Sequence, residues 1–491
     1  MKVLMVMQHA NLFRNLDTVV RELDARHHEI VMLHGTRVDD PRTMRRIARK
    51  RLTMVFMGRG IELAEAEIPS VTTGYRPEPA PEERWHAKLR TGRLVMNRSI
   101  YFRNTHPSPP RSIGPEKELS ERIRRGIGSR IGRAVLRTKL ALRAWRGVER
   151  VSSPSETVVS LLKELQPDVV LVSPMVWPKR PVEADYVHAA KRLGIPTVGY
   201  LNSWDNLTSK GTVHVVPDIF ILWNEALAKE AEEIHDVPRK VLRVTGAPHF
   251  DYFFQMRPGA SRATICKRLG CPDEGPYIVY LCSSRTLISD ETHVVTELAG
   301  ALARQFEGAP PTIVVRPHPV NPKPWADFEH PGVRVYPNHG DQADTPDAWQ
   351  EYFDQLITAS CCVGLNTTAF LEALVADRPC LTLVSDEFHD AQGRTGHFRH
   401  LRDGDFLEVS SDMAEVASRV ASVLAGADTK AEARRRFAAS FLRPRGIETR
   451  AAVVVAETIE SMVPDQAATA DARTAIADPP PASLATKEGR A

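Results

Sequence analysis

Cysteine is scarce in this chain of 491 residues. The six present, Cys266, Cys271, Cys282, Cys361, Cys362 and Cys380, all lie in the second half and form no CxxC pair. A disulfide framework and a zinc site are therefore not expected, and a reducing cytosol with buried thiols is. No run approaches the ~18 consecutive apolar residues of a membrane-spanning helix. Met1 to Leu16 holds one short apolar stretch and then Gln8, His9, Asn11 and Arg14, which reads as a first strand and not as a secretory signal. Several nucleotide motifs are missing too. There is no GxxxxGK[ST], which excludes an ordinary P-loop nucleotidase, and no GxGxxG after the first strand, which argues against a dinucleotide oxidoreductase. A GxSxG elbow is also lacking. The one DxD-like triplet, Asp403-Gly404-Asp405, falls late and reads as a turn, so a sugar transferase holding Mg²⁺ or Mn²⁺ on such a site is disfavoured and no metal is expected.

What is present is ordinary in amount and uneven in distribution. The chain is 42% hydrophobic and 26% charged, enough for two or three cores at ~150 residues per domain. Net charge is +4, yet residues 1–150 hold 31 Lys/Arg against 16 Asp/Glu and the remainder 34 against 45. Such asymmetry points to a basic face meeting something anionic. Residues 121–150 alone carry ten Lys/Arg and two Glu, and Ile123, Ile127, Ile131 and Val135 recur four apart, extended by Leu136, Leu140 and Trp145. This pattern fits a basic amphipathic helix at an anionic membrane, or a helix packed on a sheet with a solvated arginine face. Nothing resembles a helix-turn-helix, a zinc finger or an RNA-binding aromatic signature, so nucleic acid is not expected as a partner.

Short β-branched runs alternate with helical patterns. Strands are expected at Val3–Met7, Glu29–Leu33, Asp168–Ser173, Pro196–Tyr200, Asp218–Trp223 and Val241–Thr245. A second series follows at Tyr277–Cys282, Thr312–Arg316, Val333–Tyr336, Gln355–Val363 and Pro379–Val384. Continuous apolar strands separated by helices mean parallel sheets covered on both faces. The expected class is α/β with two Rossmann-like doubly wound domains facing a cleft. The first spans 1–250, with a basic helical insertion at about 37–151 that lacks βαβ rhythm. The second, 251–462, ends in a helix at Arg443–Met462. The Ala/Asp/Thr/Pro-rich tail 463–491 is too polar to order itself.

Four segments following expected strands concentrate polar groups. Tyr200-Leu201-Asn202-Ser203-Trp204-Asp205-Asn206-Leu207-Thr208-Ser209-Lys210 offers a carboxylate for an acceptor proton and a lysine for a phosphate. An Asx-turn with Trp204 as packing anchor accounts for the same residues. Arg316-Pro317-His318-Pro319 ends a strand with a guanidinium fork suited to phosphate and an imidazole able to protonate a leaving group. Gly364 to Ala373 places Thr367 and Thr368 at a helix start, with Glu372 one turn in, where it can meet ribose or sugar hydroxyls. A plain threonine cap is the alternative. Ser283 and Ser284 form a further candidate phosphate loop. His9 follows the first strand, where a cleft-facing base can sit. Glu387, His389, Asp390 and His397 are cleft-lining candidates only.

The two halves, the join Val244-Thr245-Gly246-Ala247-Pro248-His249-Phe250-Asp251 and the phosphate loops of the second half resemble the GT-B glycosyltransferase superfamily. The segments Arg316–Pro319 and Gly364–Ala373 resemble the donor-binding segments of CDP-glycerol glycerophosphotransferases and capsule-polysaccharide transferases, and also those of non-hydrolysing UDP-N-acetylglucosamine 2-epimerases. The likeness covers roughly residues 150–460. In the glycerophosphotransferases a Trp-His-Gly motif stands where this chain has Trp204-Asp205-Asn206. The resemblance implies an inverting, metal-independent glycosyl or polyol-phosphate transfer in cell-envelope or surface polysaccharide synthesis. Its substrate is a nucleotide-diphospho donor, with no cofactor. Ser283, Ser284, Arg316, His318, Thr367 and Thr368 would hold the diphosphate, Glu372 the ribose, and Asp205 or His9 would be the base, with His318 facing the leaving group. A lipid-linked or saccharide acceptor would place the protein in the cytoplasm, at the inner face of the membrane through residues 120–150. Two alternatives remain at this stage: a nucleotide-sugar 2-epimerase of the same fold, and a non-enzymatic protein binding an anionic polymer or membrane.

Overall fold

A computed structural model describes residues 1–35, 59–77, 79, 83–103, 119–178, 181–273, 275–338, 343 and 345–463. Residues 464–491 of the expected tail and the insertion segments 37–58 and 104–118 lie outside the described residues, while Val463 packs against the core under the first sheet. Two wholly parallel sheets organise the chain. The first has seven strands in the order β3-β2-β1-β4-β5-β6-β7. They are β1 (Lys2–Met7), β2 (Glu29–His34), β3 (Val71–Tyr75), β4 (Val169–Ser173), β5 (Thr197–Tyr200), β6 (Ile219–Leu222) and β7 (Leu242–Val244). The second has six, ordered β10-β9-β8-β11-β12-β13: β8 (Tyr277–Leu281), β9 (Thr312–Arg316), β10 (Val333–Val335), β11 (Cys362–Gly364), β12 (Cys380–Leu383) and β13 (Leu407–Ser410). In each sheet the order reverses beside the first strand of the domain, which opens a crevice at the carboxyl ends. The two-domain Rossmann-like class expected from the sequence is the observed one.

Local chemistry explains the elements. Central strands such as β4 (VVLVS) and β8 (YIVYL) are buried at every residue, because helices cover both faces. The edge strands β7 and β10 are three residues long and half exposed. Helix starts carry oxygen caps: Ser155 Oγ accepts from Val158 N, Asn224 Oδ1 from Leu227 N and Asp412 Oδ1 from Glu415 N. All six cysteines are buried as free thiols.

The structure corrects four expectations. Gln355–Thr358 is not strand: it ends the helix Pro346–Thr358, whose Trp349, Tyr352, Phe353 and Leu356 are buried at helical spacing, and the strand begins only at Cys362. Within the supposed insertion, β3 pairs with β2 from Ile30↔Val71 to His34↔Tyr75, so the first Rossmann sheet already includes residues 71–75. Its sequence, VTTGY, is too polar to announce a core strand. The stretch 120–151 is not one amphipathic helix but three, Glu121–Gly128, Arg130–Leu136 and Lys139–Val151, interrupted where Ser129 and Thr138 cap the next helix. Finally, the last helix runs only from Ala451 to Glu460. Its Ala452, Val455, Ala456 and Ile459 pack into the core under the first sheet, so residues 451–460 belong in space to the N-terminal domain.

That return explains the join motif. Gly246 has φ +99°, and a Cβ there would stand 2.8 Å from Leu442 O and 2.9 Å from Ala451 Cβ. Asp251 accepts hydrogen bonds from Ala451 N at 3.1 Å and Ala452 N at 2.9 Å, and pairs with buried Arg443 at 2.7 Å. The motif thus ties the outgoing and returning crossings together.

Candidate active site

Because β8, β9 and β11 are adjacent and parallel, the loops after them emerge side by side. The loop after β5 faces them from the other domain. Between them lies a cavity of about 330 Å³. Trp204, Asp205, Ser209 and Lys210 line it from the N-terminal domain, with Tyr101 and Pro178; Ser284, Thr286, His318, Asn366, Thr367, Thr368, Thr395 and His397 line it from the C-terminal domain.

Trp204 fastens the two sides. Its Nε1 donates to Thr368 Oγ1 at 3.1 Å, and its ring meets the His397 and Phe441 rings edge-on at 5.1 and 6.2 Å. The packing role and the cavity role foreseen for this loop therefore coexist, since neighbouring Asp205 faces the cavity. Lys210 Nζ stands 3.2 Å from Asp205 Oδ2, and Ser209 Oγ donates to the same oxygen at 3.1 Å. Burial pushes the Asp205 pKa up, but the Lys210 ammonium and His397 outweigh it and hold the carboxyl well below the usual carboxylate range.

His318 is the opposite case. Burial, with the nearby Arg14 charge, lowers its pKa to about 4, so the ring is neutral at pH 7. Val320 N donates to its Nδ1 at 3.2 Å. This assigns the proton to Nε2, making the ring a neutral donor.

Not every expected residue lines the cavity. Ser283 is fully buried: its N–H donates to Glu291 Oε2 at 3.0 Å and its Oγ accepts from Asn366 N at 3.3 Å, so it props the Asn366 loop. Arg316 turns away, donating to Gln355 Oε1 at 2.8 Å and lying 3.9 Å from the Tyr352 ring centre. Glu372 is only 4% exposed, with Oε1 3.9 Å from His249 Nε2. Burial raises its pKa to about 7, against the opposing charges of Arg14 and Arg316. Among the described residues Glu372 Oε2, both His249 ring nitrogens and Gln355 Nε2 have no hydrogen-bond partner. Arg316, Glu372, His249 and Gln355 thus form a second polar cluster behind the cavity wall, with Arg14 reaching into it from the first domain. His9 follows β1 as expected but stands outside the lining, its ring edge-on to Trp177 at 5.5 Å. Of the weaker candidates only His397 reaches the cavity; Glu387 pairs with His293 at 2.8 Å and Asp390 with Arg394 at 3.1 Å.

Sequence reading missed Tyr101 and Arg14. Tyr101 comes from the helix Arg84–Arg103 and donates its hydroxyl to Ser209 O at 2.8 Å, bracing the Asp205 loop. That helix is fixed by Arg93, which is buried, chelates Glu149 at 2.7 and 2.9 Å and reaches Asp185 at 2.8 Å. Gly92 beside it lets Trp145 close in; a Cβ there would stand 2.3 Å from the indole. A lone Gly92-Arg93 pair gives no sign of this in the sequence.

No family model matches the chain, and no curated protein matches it. Solved structures do. The UDP-GlcNAc 2-epimerase of Methanocaldococcus jannaschii, in complex with UDP-GlcNAc and UDP, superimposes with a TM-score of 0.51 at 11% identity, over 94% of this chain and 100% of that one. A putative UDP-N-acetylglucosamine 2-epimerase from Listeria monocytogenes gives 0.51 at 11% identity, over 94% and 96%. A glycosyltransferase from Rickettsia africae gives 0.49 at 8% identity, over 94% and 99%. At these identities the two likenesses with a TM-score of 0.51 establish the fold alone: the chain has the GT-B arrangement of two Rossmann-like domains.

Proposed function

We propose that the protein is an inverting transferase that takes a sugar, or a polyol phosphate, from a nucleotide-diphospho donor and passes it to an acceptor hydroxyl. The observation that carries this reading is the convergence of Ser284, His318, Thr367, Thr368 and Lys210 on one cavity at the carboxyl ends of parallel strands. The donor diphosphate is held there by hydrogen bonds from the hydroxyls and His318 Nε2–H and by the Lys210 charge. Glu372, buried behind the cavity wall, is not placed to hold the ribose.

The acceptor enters beside Asp205 and Tyr101. For a sugar, its oxygen bonds to the anomeric carbon from the face opposite the diphosphate as the carbon–diphosphate oxygen bond breaks; for a polyol phosphate, it bonds to the distal phosphorus as the bridging P–O bond breaks and the nucleoside monophosphate leaves. The hydroxyl proton passes to Asp205. In the free protein Lys210 keeps that carboxylate weakly basic; a diphosphate competes for the ammonium, and Asp205 becomes a better base only when donor is bound. Negative charge developing on the leaving nucleotide is met by Lys210 and by Nε2–H of His318. The acceptor class we favour is a saccharide or a lipid-linked one in envelope polysaccharide synthesis.

Glu372 favours one second reading, in which the cavity wall opens to uncover it. A carboxylate titrating near pH 7 is a far stronger base than Asp205, and an epimerase must remove a proton from carbon. The two separate on product: an epimerase converts a UDP-sugar to its C2 epimer without acceptor, whereas a transferase leaves the sugar's C2 configuration unchanged. Binding itself is tested by thermal shift against UDP-, CDP- and GDP-linked sugars and CDP-polyols. A ligand at 100 times its Kd adds ~2.7 kcal/mol. Wild type should respond to one nucleotide class, and Lys210→Ala and His318→Ala should not. Variants that respond like wild type would show that this cavity is not the donor site, and no response to any nucleotide would leave the non-enzymatic reading.

A further inference from the structure

The helices Glu121–Gly128, Arg130–Leu136 and Lys139–Val151 carry two kinds of arginine. One kind is held by carbonyls and carboxylates of neighbouring segments. Arg146 donates to Val213 O at 2.8 Å, His235 O at 2.6 Å and Asp236 O at 2.9 Å, and Arg143 grips the Asp236 carboxylate at 2.7 and 2.9 Å. Arg122, Arg124, Arg130, Arg133 and Arg137 are exposed, and among the described residues none of the five has an ion-pair partner.

Aliphatic side chains divide in the same way. Leu136 and Leu142 are buried with Met96, and Trp145 packs against them. Ile131 is 78% exposed and Val135 54%, one turn apart on the second helix. On the third, Leu140, Val148 and Val151 are 74%, 40% and 84% exposed, and at spacings of eight and three they share a face. Such side chains are normally buried.

We infer that this face docks on the surface of an anionic phospholipid bilayer. The aliphatic side chains enter the headgroup boundary and the five unpaired arginines lie on lipid phosphates. Charge complementarity selects this occupant. A second copy would set arginine against arginine. The exposed large hydrophobic residues of these helices are aliphatic, without the aromatic anchors by which a protein partner is usually held. The helix Arg84–Arg103 underlies these helices through Met96 and reaches the cavity through Tyr101, so docking would bring the bilayer within one helix layer of the cavity. The inference does not depend on the nucleotide reading, which has its own assay.

The test is co-sedimentation of the full chain with vesicles of phosphatidylglycerol and phosphatidylcholine against phosphatidylcholine alone, at about 0.1 M salt, where charges are screened beyond ~10 Å. Binding is expected to the anionic vesicles only. Arg130→Glu with Arg133→Glu should weaken it at least roughly 30-fold, from the loss of two favourable charges. Ile131→Asp with Leu140→Asp, which adds two charges that must be kept from the boundary, should weaken it comparably. Both variants replace exposed residues, and an unchanged melting temperature verifies the fold. Equal binding to neutral vesicles, no binding, or two variants that bind like wild type would overturn the inference. So would tight retention of single-stranded RNA that is lost in the arginine variant and kept in the aspartate variant, because that pattern marks a nucleic-acid face.

Discussion

His318 gives the sharpest test of the donor site. In the free protein its pKa is lowered to about 4 by burial and by Arg14. A diphosphate oxygen bearing one negative charge ~4 Å away, at an effective dielectric of ~20, stabilises the imidazolium by ~4 kcal/mol. That is ~3 pKa units, so the bound-state value is ~7. Bound protein then holds more protons than free protein between these limits, and binding strengthens as pH falls. Between pH 7.5 and 5 the gain is roughly 70-fold. The diphosphate of a nucleotide sugar is a diester and does not itself titrate in this range, which makes it the right ligand. Glu372 titrates nearby, so the informative quantity is the ratio of wild-type to His318→Gln affinity, measured by calorimetry at each pH. That ratio should climb as pH falls. A ratio that stays flat from pH 7.5 to 5 would refute the placement of the diphosphate against His318.

Two further outcomes are expected. Glu372 has a folded pKa raised to about 7 by burial, so ionising it opposes folding at alkaline pH and not at acid pH. Glu372→Gln should therefore be more stable than wild type above pH 7, by about 3 kcal/mol, with the two converging near pH 4; parallel denaturation profiles across that range would show that the carboxylate is not buried. Arg93→Met leaves Glu149 and Asp185 facing each other without their shared cation. It should lower stability by about 3–5 kcal/mol and loosen the Tyr101 brace, read as a fall in melting temperature and faster proteolysis within residues 84–151; a variant as stable as wild type would show the network to be dispensable.

Sequence legibility followed burial. Strands covered on both faces, such as β1, β4 and β8, read as unbroken apolar runs, and their expected bounds lie within a residue or two of the observed ones. Elements with one solvated or irregular side did not. β3 is VTTGY, and Gln355 adjoins the apolar run beyond it in sequence, although Phe353 and Leu356 continue a helical spacing. The site divides along similar lines. Asp205, Ser284, His318, Thr367 and Thr368 follow strands immediately, and in parallel sheets that position alone sends a residue to the crevice edge. Arg316 is the last residue of β9, still inside the sheet register, and its side chain goes to Tyr352 and Gln355 behind the crevice.

The amino-acid sequence by itself determined the class of fold, two parallel sheets with polar loops at their carboxyl ends, because apolar periodicity is a local property and parallel pairing needs both faces covered. It also determined where positive charge accumulates. Only the tertiary structure decided which polar groups share a cavity, since Trp204 meets Thr368 across 164 positions and Asp251 caps a helix 200 positions away. Only the structure sorted the arginines of residues 121–150 into those that hold the helices down and those that face outward, because that depends on which carbonyls and carboxylates distant segments bring within reach.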